Sequence, residues 1–374
     1  MANPPLSPRA RADLDLLRGA AALFVVATHV RQLMFVPQGA DLAGRVFLQI
    51  AGRGHDAVLA FFVLSGYLVT RSSLGLEDRR WTRYAVARAS RILTVLWPAF
   101  VLGVLLDRIG LAFFRDAGVY AGHHPSRVFS ISFATRHSIR TVLGNLAFLQ
   151  WARFPTLGSN VALWTLAYEG WFYFSFPFVV TALSPGAWPR RLLAAAVWAS
   201  VVALLGELYP SYFAVWSCGA VVALWERRAP GVWPTWTRVA SVAGVLAVMV
   251  VRRSTPLFVQ EQLTGVALAL LVASFTRVAP ATTRPGSYTR VASALSAISF
   301  SLYLVHVPAL ALVGAWLGTP PLLRATAGNL LRVAPWVALV IAYAVVVYFL
   351  IERRTPAVRR WLARRAGLAQ GRSQ

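Results

Sequence analysis

An arginine and a histidine bracket the apolar stretch LRGAAALFVVATHV, Leu17 to Val30, with Arg18 at its start and His29 near its end. On a helix the pair returns to nearly one face, roughly 20° apart, with about 16 Å of axial rise between the two side chains. An ionisable group inside a membrane span is costly, so its presence points to function. Imidazole titrates near neutrality and suits general-base work. Glu169 in LWTLAYEGWFYF and His306 in ISFSLYLVH also sit inside apolar runs. A carboxylate in such a place is rarely without a role, whereas a lone histidine is as often an interhelical hydrogen-bonding group. Arg88 and Arg91 in VARASRIL, read singly, are charges flanking a span. Taken with Arg18 they are three planar forks that would suit a phosphorylated ligand. FFVLSGYL adds the Ser65 hydroxyl and the Gly66 backbone, either a packing motif or a point of close ligand approach. Trp164, Trp171, Phe172 and Tyr173 read as interface and core. His55, His123, His124 and His137 fall in or beside loops, exposed and without metal-ligand spacing. Cys218 is the single cysteine, so no metal site and no internal disulfide is expected.

These groups need spans to hold them. Of 374 residues, 57% are hydrophobic and only 13% charged, the composition of a polytopic membrane protein. The net charge of +24 would suggest nucleic acid in a soluble chain. Here all 37 basic residues are arginines, most of them closing apolar runs, and they read as topogenic charge in contact with anionic headgroups. The N-terminal run has no small-residue cleavage site after it and is a retained first span rather than a signal peptide. Ten segments are long enough to cross lipid: 14–34, 55–75, 90–114, 162–184, 190–206, 210–226, 236–252, 259–276, 295–318 and 333–352. The apolar run 141–151 is too short to span and predicts an interfacial or re-entrant helix. With the N-terminus inside, the inside pieces carry 24 arginines, including six from Arg71 to Arg91, Arg284, and seven from Arg353 onward. The outside pieces carry 13, six of them in the long loop 108–160. Both termini should therefore be cytoplasmic.

This topology sorts the polar residues by depth. His29 falls about 20 Å beyond the cytoplasmic start of its span, Glu169 roughly 10 Å below the outer surface, and His306 near mid-depth. Arg18, Arg88 and Arg91 share the cytoplasmic level. The chain reads as all-α, a membrane domain over 1–352 followed by a basic cytoplasmic tail over 353–374. In that tail Trp361 and Leu362 among the arginines predict a short amphipathic helix on the inner leaflet. No internal repeat is present.

Six stretches, in order, resemble the membrane-bound acyltransferase family 3, the bacterial integral-membrane O-acyltransferases. They are LRGAAALFVVATHV, FFVLSGYLVT, the Arg-x-x-Arg of RASR, LWTLAYEGWFY, SFSLYLVH and IERRTP, spanning roughly residues 13–356. The resemblance implies that Arg18 and His29 are essential, that Arg88 and Arg91 lie near the acyl-donor site, and that Glu169 belongs to the active centre. It also covers Ser65, Gly66, Trp164, Tyr303 and His306, expected as oxyanion or acceptor contacts. The chain departs from the family at Trp164-Thr165-Leu166, where a serine is usual at the middle position, and in ending without the soluble esterase-like domain of many relatives. Expected from the resemblance is transfer of an acyl group, acetyl by the family's habit, from cytoplasmic acetyl-CoA as co-substrate, with no metal. The acceptor would be a hydroxyl on a glycan, a lipid-linked sugar or a small hydroxylated molecule at the outer side of a bacterial cytoplasmic membrane. In this reading His29 is the base, Glu169 orients its imidazole, and Arg18, Arg88 and Arg91 meet the CoA phosphates; direct transfer and an acyl-histidine relay both remain open. The competing class, a proton-coupled transporter or glycolipid flippase, usually shows two similar halves, which this sequence lacks. Oligomeric state is not legible.

Overall fold

The computed structural model describes residues 5–73, 80–130, 132–229, 231–251, 256–277, 286–318 and 322–368. Arg79, Arg252, Arg253 and Arg284 of the charge tally, and residues 369–374 of the tail, lie outside these ranges. A helix occupies each of the ten expected segments: α1 (Pro8–Met34), α3 (Gly54–Ser73), α4 (Arg80–Phe113), α7 (Leu163–Leu183), α8 (Trp188–Leu205), α9 (Leu208–Arg228), α10 (Trp236–Val251), α11 (Leu257–Thr276), α12 (Ser287–Trp316) and α13 (Ala327–Leu350). Among the described residues, seven helical stretches are long and apolar enough to cross a membrane. α10, at 16 residues, is short for a span, and α1 and α7 carry the polar residues at issue.

The helix ends follow from local chemistry. α1 begins earlier than its apolar run because Ser7 caps it, its hydroxyl accepting from the Ala10 N–H at 3.1 Å, and Pro8 suits the first turn. The short helix expected at 141–151 is α6 (Ile139–Leu146), capped by Ser138 and closed where Phe148 and Trp151 take positive φ. Two further short helices, α2 (Leu42–Ala51) and α5 (Gly118–Ala121), and the tail helix α14 (Thr355–Arg365) complete the set.

The chain divides into two compact units, with boundaries inside helices. The first comprises Met1–Ala21, His55–Trp81 and Trp171–Ala297. α9 packs on α11, and α11 on α10, around an aromatic core in which Phe213 and Trp216 stack at 5.5 Å and Phe62 meets Phe172 edge-on at 5.2 Å. α3 and α9 touch backbone to backbone: a side chain at Gly66 would strike the Trp216 carbonyl, and one at Gly219 the Val63 carbonyl. Polar side-chain pairs close this unit at both helix ends. His55 pairs with Glu261 at 2.8 Å at the starts of α3 and α11, and Arg71 with Glu226 at 2.6 Å at the ends of α3 and α9.

The second unit comprises Ala22–Gly54, Thr82–Gly170 and Ile298–Gln374. The exposed Asp41 carboxylate caps two helices, accepting from Gly44 N–H of α2 and Ala327 N–H of α13, both at 2.8 Å. Beside it, β1 (Phe35–Val36) pairs in parallel with β2 (Leu323–Arg324). The connection 108–160 is folded, with Phe129 and Phe133 fully buried and Tyr120 edge-on to Phe133. This corrects the expectation of exposed loop histidines, which His123 alone meets among those of this connection. His124 is buried, its Nε2–H reaching the Leu33 carbonyl at 3.2 Å while Nδ1 accepts from Ser126 N–H. His137 is half-buried, its side chain covered against the carboxylate of Asp107 at 3.2 Å. In both cases a nearby acceptor repays the desolvation of the ring.

Candidate active site

α1 and α12 bring His29 and His306 together in the second unit. His29 Nδ1 lies 3.0 Å from the Val25 carbonyl oxygen and 3.0 Å from His306 Nε2. The ring centroids are 5.0 Å apart, inclined at 56°. His306 is fully buried, and its Nδ1 faces two carbonyls, Leu302 and Tyr303, each at 2.9 Å. Carbonyls only accept, so the hydrogen-bond network assigns the His306 proton to Nδ1 and leaves Nε2 a lone pair. That lone pair accepts from His29 Nδ1–H, which the Val25 carbonyl also favours. Every contact is satisfied by this one pair of tautomers, and it leaves the His29 Nε2 lone pair as the basic atom.

Two of the expected residues have hydrogen-bond partners that the sequence did not suggest. His306, expected as an oxyanion or acceptor contact, has its Nε2 against His29 and its Nδ1 against backbone carbonyls. Glu169 was expected to orient the His29 imidazole, but among the described residues the hydrogen bonds of His29 go to Val25 and His306. Glu169, half-buried on α7, acts electrostatically on Tyr303. Four residues before it on the same helix, Thr165 Oγ1 lies 2.5 Å from the Tyr303 hydroxyl, which in turn donates to the Ala162 carbonyl at 3.2 Å. Tyr303 is thus a brace between α12 and α7, its proton engaged by backbone. Trp164 stands in an aromatic row, its ring centroid 6.2 Å from Trp151 and 5.8 Å from Tyr168. The buried Phe129 ring meets His29 edge-on at 6.3 Å and His124 at 5.8 Å.

The arginines are distributed over both units. In the first, Arg18 lines a cavity of about 160 Å³ with Arg11, Asp15 and leucines 14, 64 and 68. In the second, the Arg88 guanidinium stacks 5.9 Å from the Tyr84 ring centroid and that of Arg91 5.4 Å from Phe300. A cation placed over an aromatic ring is attracted by the negative face of its π-system. Ser65, in the first unit, is buried and bonded to Tyr173 OH at 3.1 Å and Trp216 Nε1 at 3.3 Å. Gly66 is pressed on the backbone of α9 at Trp216. Thr165, Phe129 and Asn160, which bonds to α12, went unsingled in the sequence. Only the hydroxyl kept at Thr165 gave a signal. Among the described residues no cluster of three or more His, Cys, Asp or Glu could hold a metal ion.

Residues 11–352 match the family described as an acyltransferase domain. Over 327 residues, 79% of this chain and 77% of the relative, the sequence is 26% identical to "Acyltransferase MdmB" of Streptomyces mycarofaciens. No solved structure gives a significant match.

Proposed function

The chain belongs to the acyltransferase 3 family, and on that premise we propose that it moves an acyl group, acetyl by preference, from acyl-CoA to a hydroxyl of a glycan, lipid-linked sugar or small hydroxylated acceptor at a bacterial cytoplasmic membrane. The observation that carries this reading is the histidine pair, in which His306 holds His29 Nδ1 protonated and leaves Nε2 basic. His29 Nε2 takes the acceptor hydroxyl proton as its oxygen attacks the thioester carbonyl. The tetrahedral intermediate collapses, the C–S bond breaks, and the imidazolium returns the proton to the departing thiolate as free CoA. Glu169 supplies negative charge near the imidazolium that forms in between. Arg18 in the first unit, and Arg88 and Arg91 in the second, each carry a fork that suits a CoA phosphate.

Detergent-solubilised protein, given acetyl-CoA and an acceptor, is expected to release free CoA thiol. His29→Ala should lower that release by about 10²–10⁴-fold, the usual contribution of a general base. Arg18→Ala should mainly raise KM for acyl-CoA, on the order of tenfold for one lost charge-assisted contact. An active His29→Ala protein would remove His29 as base, and absence of thiol release with any hydroxylated acceptor would favour transport.

A further inference from the structure

α12 carries Pro308 in its interior, two residues beyond His306. Proline has no N–H, so the carbonyl four residues earlier, that of Leu304, loses its helical partner. A buried carbonyl left this way keeps its full desolvation penalty. The missing donor comes from outside the helix: Asn160 Nδ2 donates to the Leu304 carbonyl at 2.7 Å. Asn160 is itself buried and held in place by a clamp. The Ser159 N–H donates to Asp107 Oδ2 at 2.8 Å, and His137 Nε2 meets the same oxygen at 3.2 Å. Gly158 makes the turn possible, with φ of +56° and a Cα that a side chain would drive into that carboxylate. One turn of α12 therefore presents three consecutive carbonyls with assigned partners. Those of Leu302 and Tyr303 accept from His306 Nδ1–H, and that of Leu304 accepts from Asn160.

We propose that Asn160 is a positioning residue for acyl transfer, supplying the hydrogen bond that Pro308 removes and so fixing the turn that aims His306 at His29. The proposal rests on the reading of His29 as base. Asn160 touches no reacting atom; it acts through the backbone that holds His306. Pro308 leaves the Leu304 carbonyl without its helical donor, and the Asn160 amide fills that gap in the ladder and keeps the turn from loosening.

The test is a double-mutant cycle, because Pro308→Ala restores the backbone donor that Asn160 replaces. Asn160→Leu, similar in shape without the donor, should lower kcat on the order of tenfold with KM for acyl-CoA little changed. In the P308A background the same substitution should cost less than about threefold. Hydrogen exchange over Ser301–Leu310 should rise with N160L in the Pro308 protein and not in the P308A protein, and this measurement decides the matter if P308A alone abolishes turnover. Equal loss in both backgrounds, no loss in either, or exchange that ignores Pro308 would overturn the proposal. Retained activity of His29→Ala would instead remove the base reading while leaving the exchange result intact.

Discussion

At the scale of single residues, the site turns on which nitrogen carries a proton. Two imidazoles 3.0 Å apart share one hydrogen bond only if one donates and the other accepts, and the backbone carbonyls on either side decide which. His306→Asn at this buried position removes the ring nitrogen that accepts from His29, leaving His29 free to place its proton on Nε2. We expect kcat to fall about 10–100-fold, the usual cost of losing an orienting partner, with KM for acyl-CoA nearly unchanged. Thiol-release kinetics at saturating acceptor would check this. Glu169→Gln, which removes charge and keeps shape, should lower kcat in the same assay without changing the His29–His306 contact. Both expectations separate charge from orientation, which the sequence alone merged in one carboxylate.

At the scale of elements, small polar devices fasten helix ends. The Asp41 carboxylate caps α2 and α13 at once, and its two N–H donors hold its pKa below the ordinary value of 3.8. A carboxylate whose pKa is depressed in the folded state stabilises it above the unfolded pKa and loses that effect as pH falls through the folded value. Asp41→Ala should therefore lower the melting temperature of the detergent-solubilised protein at pH 7, and the gap to wild type should close below about pH 4. His124 works in the same pH direction from another cause. Burial pushes its pKa below 6.5, partly countered by the Leu33 carbonyl. The unfolded chain binds the proton more readily, so the fastening of the loop to α1 is at full strength above pH 6.5 and weakens on acidification. His124→Asn should flatten the pH dependence of melting between pH 5 and 7 on the order of that single titration. Gly66→Leu would drive a side chain into the α9 backbone and should prevent stable accumulation, seen as loss of the monodisperse peak in size-exclusion chromatography.

At the scale of the whole molecule, arginine supplies all the positive charge, a net of +24, and the apolar helices carry little of it. The proposed orientation puts both termini in the cytoplasm. Because Cys218 is the one native cysteine, a C218A chain bearing Arg360→Cys on α14 gives a clean label. A membrane-impermeant maleimide should modify it in inverted vesicles and in no right-side-out spheroplast. Labelling from the outside would reverse the proposed topology and with it the side from which acyl-CoA enters.

Hydrophobic run length is a one-dimensional property, so the ten helical segments and the membrane class were legible in the sequence. The ionisable residues inside those runs were legible for the same reason: lipid makes each one costly wherever it folds. The partners that compensate them were not, because they come from far along the chain. His306 is 277 positions from His29, and Asn160 is 144 from Leu304. A carboxylate was the natural guess for the partner of His29, yet its hydrogen bond goes to a second imidazole, and Gly66 lies against the backbone of α9. Which buried donor meets which acceptor is settled by how helices pack, and only the tertiary structure decided it.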